Sequence, residues 1–288
     1  MSAETFQYVL WYKGLFEKLS SISNGGQNYL KNIHQLTQEN IILDFGCGLG
    51  ECVHKFRDDG YNAFGCDIEF PVAPEDPLKS YLECGIIRKI DFVQDPQDQV
   101  ELFLEHGILV KTDEASYHLP FENNTFDIII SSQVFEHVMD YPAVLAELSR
   151  ISKPTGINVH IFPGKWMVKE SHTYIPFSSV MRTFWWVYLW TFLGIRNQFQ
   201  QQMSAIETAK RDYWYLHRRT KYLYRWQIQR YVAQYFDECR FTEESYFYVS
   251  PRAWECFKRY PFLLKIYRAW YSDTQMRVLV LGKKKILS

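Results

Sequence analysis

The chain has no Cys-x-x-Cys pair, no apolar run long enough to span a bilayer, and almost no net charge (−1 at neutral pH). Each absence excludes something. The six cysteines (47, 52, 66, 84, 239 and 256) read as reduced thiols of a cytosolic protein, with Cys47 and Cys66 as small apolar fillers at strand ends. The most apolar stretch, Phe184-Trp185-Trp186-Val187-Tyr188-Leu189-Trp190-Thr191-Phe192-Leu193, is about half of the roughly 20 residues a spanning helix needs. A near-neutral chain is not a globally basic nucleic-acid binder, so nucleic acid is not an expected partner. No basic start followed by an apolar run opens the sequence, so no secretory signal is expected and the location is read as cytoplasmic.

At 288 residues and 47% hydrophobic, the chain suits one domain of about 150–200 residues with additions. The most informative run is Ile41-Ile42-Leu43-Asp44-Phe45-Gly46-Cys47-Gly48-Leu49-Gly50. It predicts a buried strand, a tight turn and a helix start from Glu51 to about Asp58. Glycines tolerate positive φ and let a ligand approach the backbone closely, and ligands of α/β sheets bind at such strand ends. Dinucleotide sites use Gly-x-Gly-x-x-Gly with a diphosphate on the helix N-terminus. Here the spacing is Gly-x-Gly-x-Gly, and Glu51 would repel a diphosphate. The pattern suits a ligand without phosphate and with some positive charge. An ordinary strand-to-helix turn is the plain alternative.

Further motifs follow in order. Tyr61 to Asp67 predicts a second strand ending in an acid. Asp67 lies about 20 residues beyond Gly48, where Rossmann-type folds hold ribose hydroxyls. Leu119-Pro120-Phe121 and an Asn-rich turn lead through Phe126-Asp127 into Ile128-Ile129-Ile130-Ser131-Ser132, an apolar strand suited to the centre of a parallel sheet. Then come Gln133-Val134-Phe135-Glu136-His137-Val138, a helix through Leu145–Ile151, a turn at Lys153-Pro154-Thr155-Gly156 and a strand from Ile157 to Phe162. This order resembles the S-adenosylmethionine-dependent methyltransferases with a Rossmann-like fold, in particular the group typified by the ubiquinone and menaquinone enzymes. Thr155 departs from the usual first glycine of the Lys-Pro-Gly-Gly turn. The resemblance covers about residues 38–163 and the closing strand.

The resemblance implies an α/β fold: a seven-stranded, mostly parallel sheet with helices on both faces and one antiparallel strand among the last two. It implies S-adenosyl-L-methionine as cofactor. Asp44, Gly46, Cys47, Gly48 and Gly50 would form the wall on the methionine side, and Asp67 with Ile68 would hold the ribose. Asp113 and Glu114 would lie near the adenine amine, and Ser132 and Gln133 would face the same crevice.

Four regions are expected. Residues 1–37 form an N-terminal helical cap, with apolar residues at helical spacing over 4–20, a break at Ser23–Gly26 and a second helix over 27–37. It either packs over the ligand site or merely covers the sheet. Residues 38–163 are the binding core. Its segment 68–108 holds four prolines and two candidate helices (78–84 and 98–106), and Val110–Asp113 reads as the end of the third strand. Residues 164–240 are a helical, aromatic-rich insertion. Between residues 182 and 240, ten Lys or Arg stand against four Asp or Glu. That region is a cap with its own aromatic core, a pocket for an aromatic, sugar or lipid-linked acceptor, or a surface for an anionic membrane face, where Tyr, Trp and bases gather. Residues 241–288 hold the last two strands, Glu244–Val249 and Met276–Gly282, around a helical insert from Trp254 to Tyr271. Lys283–Lys285 form a solvated end.

Methyl transfer from a sulfonium is an in-line displacement, so positioning is the main task. A base is needed only where the acceptor must lose a proton. His137, with an ordinary pKa near 6.5, is the first candidate, against a helix-start histidine bonded to the backbone. His172 and Tyr174, after the fifth strand, come next. Gln133-x-x-Glu136-His137 also resembles the Glu-x-x-Glu-His step of methyltransferases that hold a metal against a diol or an RNA 3′ end. Gln133 replaces the first acid, and magnesium favours charged oxygens, so no metal is expected. The expected activity is methylation, at oxygen, of a small-molecule, glycan or lipid-linked acceptor. A non-catalytic ligand-binding protein and an NAD-dependent dehydrogenase are the rivals.

Overall fold

The computed structural model describes residues 36–68, 78–89, 118–243, 259–260, 270–271 and 273–285. The expected cap over 1–35, the helix over 98–106, the strand end at 110–113 with Asp113 and Glu114, the strand at 244–249, most of the 254–271 insert, and Cys256 lie outside the described residues.

The described chain builds a seven-stranded sheet: β1 (Ile41–Phe45), β2 (Asn62–Asp67), β3 (Ile87–Lys89), β4 (Phe126–Ser132), β5 (Ser152–Pro163), β6 (Phe236–Phe241) and β7 (Met276–Lys284). Their order is β3-β2-β1-β4-β5-β7-β6, and β7 runs antiparallel to both neighbours. Among the described residues the helices are α1 (Glu51–Asp58), α2 (Leu78–Glu83), α3 (Tyr141–Ile151), α4 (Phe184–Phe192), α5 (Ala205–Arg218) and α6 (Arg225–Val232).

Strand alternation divides the core. Ile42, Ala63, Ile128, Ile130, Val159 and Ile161 meet Val53 and Phe56 of α1 on one face. Leu43, Phe45, Cys66 and Ile129 meet Leu145 and Leu148 of α3 and Ile228 and Val232 of α6 on the other. A strand covered on both faces reads as an unbroken apolar run, which is why β4 was legible.

The motif residues outside the crevice tie the fold together. The Asp127 carboxylate accepts the Ile41 N–H at 2.9 Å and the Lys153 ammonium at 2.7 Å. Arg150 donates to the carbonyls of Phe121 and Leu119 at 2.7 and 2.9 Å, and Glu147 accepts the Leu119 N–H at 2.7 Å. The Leu-Pro-Phe turn is thus clamped onto α3.

Two expectations need correction, and two strands were not expected. The strand beside β2 is Ile87–Lys89. The partner of β7 on the side away from β5 is Phe236–Phe241. Glu238 and Arg240 hid it, because an edge strand tolerates charge. The Lys153–Gly156 turn lies within β5 as an irregularity in its pairing with β4; a Cβ at Gly156 would sit 3.0 Å from the Phe126 carbonyl oxygen. Lys283–Lys285 are not a free solvated end: Lys283 pairs with Glu238 at 2.5 Å, Lys284 with Asn124, and Lys285 donates to the Ala233 carbonyl at 2.6 Å.

The aromatic insertion divides its side chains. Val187 packs with Ile175, Ala209 and Leu216 in a small core of its own, joined by Trp186 and Trp190. On the opposite side Trp185, Leu189, Phe192 and Leu193 are exposed. Many of the bases turn inward. Arg182 donates to the Thr220 carbonyl at 2.8 Å, Arg196 to the Thr191 carbonyl at 3.0 Å and Arg225 to Glu243 at 2.8 Å. Among the described residues no helix is long and apolar enough to cross a membrane.

Candidate active site at the strand ends

The loop after β1 takes the shape its glycines permit. Gly46, Gly48 and Gly50 have φ of 79, 51 and 74°, values that other residues adopt only at a cost. A Cβ on Gly46 would lie 2.3 Å from Val134 Cγ2, whereas one on Gly48 would meet nothing within 4 Å. The loop is pressed against the end of β4 at one glycine and faces open space at the next.

Two carboxylates flank that space. Asp67 is tied to both loops: Oδ2 accepts the Gly48 N–H and Oδ1 the Ile68 N–H, both at 2.7 Å. Asp44 is buried. Its carboxyl is pushed up to about 7 by burial first and by Asp67 second, against a hydrogen bond from Cys52. Burial drives the Cys47 and Cys66 thiols upward as well, so both are the inert fillers expected of them.

At the end of β4, Gln133 sits at φ 58°, a strained conformation of the kind that gathers at functional sites. Its amide donates to Met276 Sδ at 3.7 Å. The Ser132 hydroxyl is buried with no hydrogen-bond partner among the described residues.

A second cluster lies one short turn further on. Val134, which abuts Gly46, precedes a 3₁₀ turn, Phe135–His137. The rings of His137 and His172 meet edge to face at 4.8 Å between centroids. His137 Nδ1 lies 2.7 Å from the Arg219 carbonyl oxygen, so Nδ1 carries the proton and Nε2 the lone pair. His172 Nδ1 lies 2.9 Å from Glu170 Oε1. Burial lowers the His137 pKa. Glu136 is fully buried, and burial pushes its carboxyl up to about 8. Glu170 is held down at about 2 despite its burial, by hydrogen bonds from His172, Tyr222 and Thr173.

The family model of the methyltransferase domain matches residues 23–238, which include the glycine loop after β1 and the acid at the end of β2. The chain belongs to the methyltransferase domain family. Two curated relatives resemble parts of this chain. Uncharacterized methyltransferase C1B3.06c of Schizosaccharomyces pombe is 52% identical over 40 residues, 14% of each chain. Uncharacterized protein MJ0638 of Methanocaldococcus jannaschii is 28% identical over 116 residues, 40% of this chain and 37% of that one. The matches thus span well under half of either relative. Among solved structures, Haemonchus contortus phosphoethanolamine N-methyltransferase 2 in complex with S-adenosyl-L-methionine aligns with a TM-score of 0.41 and 13% identity, over 93% of this chain and 52% of that one. A geranyl diphosphate C-methyltransferase from Streptomyces coelicolor aligns at 0.40 and 13%, over 86% and 70%.

The fold brings together most of the residues expected at the site. Asp44, the glycines, Asp67 and Ile68 share one loop system, and His137 meets His172. Tyr174 takes a different position: its ring lies under the Lys169 ammonium at 4.2 Å. The tyrosines at the histidine pair are Tyr215, with its ring 5.3 Å from that of His172, and Tyr222, which donates to Glu170 Oε1 at 2.6 Å. Both sit far along the chain, and no local motif marks them. Glu170 was readable as a neighbour of His172, but its burial was not.

Proposed function

We propose that this methyltransferase binds S-adenosyl-L-methionine between the glycine loop and the end of β2 and methylates a small acceptor held beside His137 and His172. Asp44 carries this reading. A buried carboxyl that burial and Asp67 push up to about 7 is eased by a positively charged ligand and burdened by a diphosphate. The donor set fits in other ways. Gly48 leaves room for a ligand against the backbone, Asp67 places a carboxylate at the end of β2 where ribose hydroxyls are held in such folds, and the Ser132 hydroxyl is buried without a hydrogen-bond partner among the described residues. The subgroup of ubiquinone and menaquinone enzymes is part of the proposal and rests on motif order.

S-adenosyl-L-methionine, when bound, supplies a methyl group already activated by the sulfonium charge. The chain's task is then to orient and to handle one proton. Asp67, anchored on Gly48 and Ile68, fixes the ribose end. Gly46, wedged on Val134, holds the loop against the strand that leads to His137. For a hydroxyl acceptor, the bound group would supply the methyl to the oxygen, leaving one hydroxyl proton to be removed. His137 Nε2 takes the hydroxyl proton and passes it to solvent. The low pKa that burial gives His137 keeps that lone pair free at neutral pH. Methylation at oxygen, and a glycan or lipid-linked acceptor, are the finer parts of the proposal.

A second contact is favoured by the exposed row Trp185, Leu189, Phe192 and Leu193 on α4. An apolar row of this kind suits the approach of a lipid-linked acceptor or of an anionic membrane face.

Calorimetry with S-adenosylhomocysteine, in competition with NAD, tests the ligand. Displacement by NAD would overturn the assignment. Methyl transfer from a labelled donor into fractionated small molecules tests the reaction, and His137→Ala should slow turnover while sparing S-adenosylhomocysteine affinity. Binding without turnover on any acceptor would favour a regulatory protein.

A further inference from the structure

We propose that Glu136, His137 and His172 form a binding site for a first-row divalent transition-metal ion, with one position left open for an oxygen of the acceptor. One potential ligand atom from each residue lies within 4.8 Å of the other two.

The two imidazoles are set up as ligands. His137 directs Nδ1–H to the Arg219 carbonyl and His172 directs Nδ1–H to Glu170, so each presents an Nε2 lone pair. Metal-bound histidines are commonly held this way, by a backbone carbonyl behind one and a carboxylate behind the other. Glu170 is itself fixed by Tyr222 at 2.6 Å, the Thr173 N–H at 2.7 Å and the Thr173 hydroxyl at 2.9 Å. It is a positioning residue.

Glu136 supplies the independent observation. It is 1% exposed, and neither carboxylate oxygen accepts a hydrogen bond among the described residues. His137 Nε2 lies 4.0 Å from Oε1. A buried carboxylate left without donors is costly, and a cation between it and two imidazole lone pairs removes that cost.

The donor set decides the ion. Two imidazole nitrogens and one carboxylate oxygen suit zinc, cobalt, iron or manganese, whereas magnesium favours oxygen ligands. Gln133 takes no part, since its amide is turned onto Met276. Bonds of about 2.0–2.2 Å require the three side chains to close by roughly an ångström.

The ion site stands on its own geometry; only its use for the acceptor rests on the methyl-transfer proposal. With the ion held, both Nε2 lone pairs are occupied. An acceptor hydroxyl at the open position then loses its proton to solvent through the ion's Lewis acidity, and His137 serves as ligand rather than base.

The test uses the untagged full chain, freed of metal by a chelator and titrated with Co²⁺ by visible absorption and with Zn²⁺ by calorimetry. S-adenosylhomocysteine affinity is measured in parallel as a check on folding. One equivalent of Co²⁺ is expected, with visible ligand-field bands, no thiolate charge-transfer band, and displacement by Zn²⁺. His172→Ala and Glu136→Gln should each weaken Zn²⁺ binding at least tenfold, and Glu170→Gln by about 10–100-fold, with S-adenosylhomocysteine affinity unchanged. Absence of ion binding in the wild type, a thiolate band, or wild-type affinity in His172→Ala would overturn the site. Ion binding without S-adenosylhomocysteine binding would sink the methyl-transfer proposal and leave the ion site standing; the reverse result would remove the ion and return His137 to the role of base.

Discussion

Asp67 Oδ2 accepts the backbone N–H of Gly48 at 2.7 Å, so the acid at the end of β2 holds the glycine loop at the end of β1. One carboxylate thereby shapes the loop, and under the proposed function it also holds the ribose of the ligand.

Replacing Asp67 with Ala should remove both roles. S-adenosylhomocysteine affinity should fall by about 1–3 kcal/mol, the range for lost charge-assisted hydrogen bonds, as read by calorimetry. Asp67→Asn should recover only part of it, since the amide can accept through one atom only. Wild-type affinity in Asp67→Ala would show that the ligand lies elsewhere.

Two neighbouring glycines should behave differently. At Gly46 a Cβ would lie 2.3 Å from Val134 Cγ2, so Gly46→Ala should lower the melting temperature clearly. At Gly48 a Cβ meets nothing within 4 Å, so Gly48→Ala should cost only the roughly 1–2 kcal/mol of a left-handed non-glycine residue while obstructing the ligand. Melting curves with and without S-adenosylhomocysteine separate the cases: Gly48→Ala should lose most of the ligand-induced rise.

Asp44 predicts a pH dependence. Its carboxyl is raised from 3.8 to about 7 in the folded chain, so the native state holds that proton more firmly than the unfolded state does. Stability from this group is therefore lost as pH rises from about 4 through 7, with a slope approaching about 1.4 kcal/mol for each tenfold fall in proton concentration. Comparing the ligand-free wild type with Asp44→Asn between pH 5 and 8 should show a falling difference. Affinity for S-adenosyl-L-methionine should rise over the same window, because the ionised carboxylate meets its charge. A flat pH profile in both measurements would contradict the assignment.

The exposed row on α4 predicts measurable adhesion to anionic vesicles, reduced in a Trp185→Ala, Phe192→Ala double variant. These side chains are 75% and 68% exposed, so the variant should melt like the wild type. If the wild type stays in the supernatant in vesicle pelleting, the contact does not exist.

Elements buried on both sides, and turns fixed by glycine, were legible in the sequence. β1, β2, β4 and β7 announced themselves as apolar runs, and the three glycines after Asp44 marked the loop. Edge elements were not. β3 is three residues long, and β6 carries Asp237, Glu238 and Arg240 on one half-exposed strand, so neither shows the pattern of a buried strand. The aromatic run 184–193 read equally well as core or surface; the pairing of α4 with α5 resolved it into one face of each kind.

His137 and His172 could be picked out singly, because each follows a strand of the sheet, and residue order alone carries such local signals. Their meeting, the burial of Glu136 beside them, and the Glu170–Tyr222 support behind them depend on segments far apart in sequence being packed together. Composition and periodicity determined which apolar runs are buried and where the chain turns. Only tertiary packing decided which buried polar groups share a neighbourhood, because burial energy depends on area whereas hydrogen bonds and ion sites depend on position.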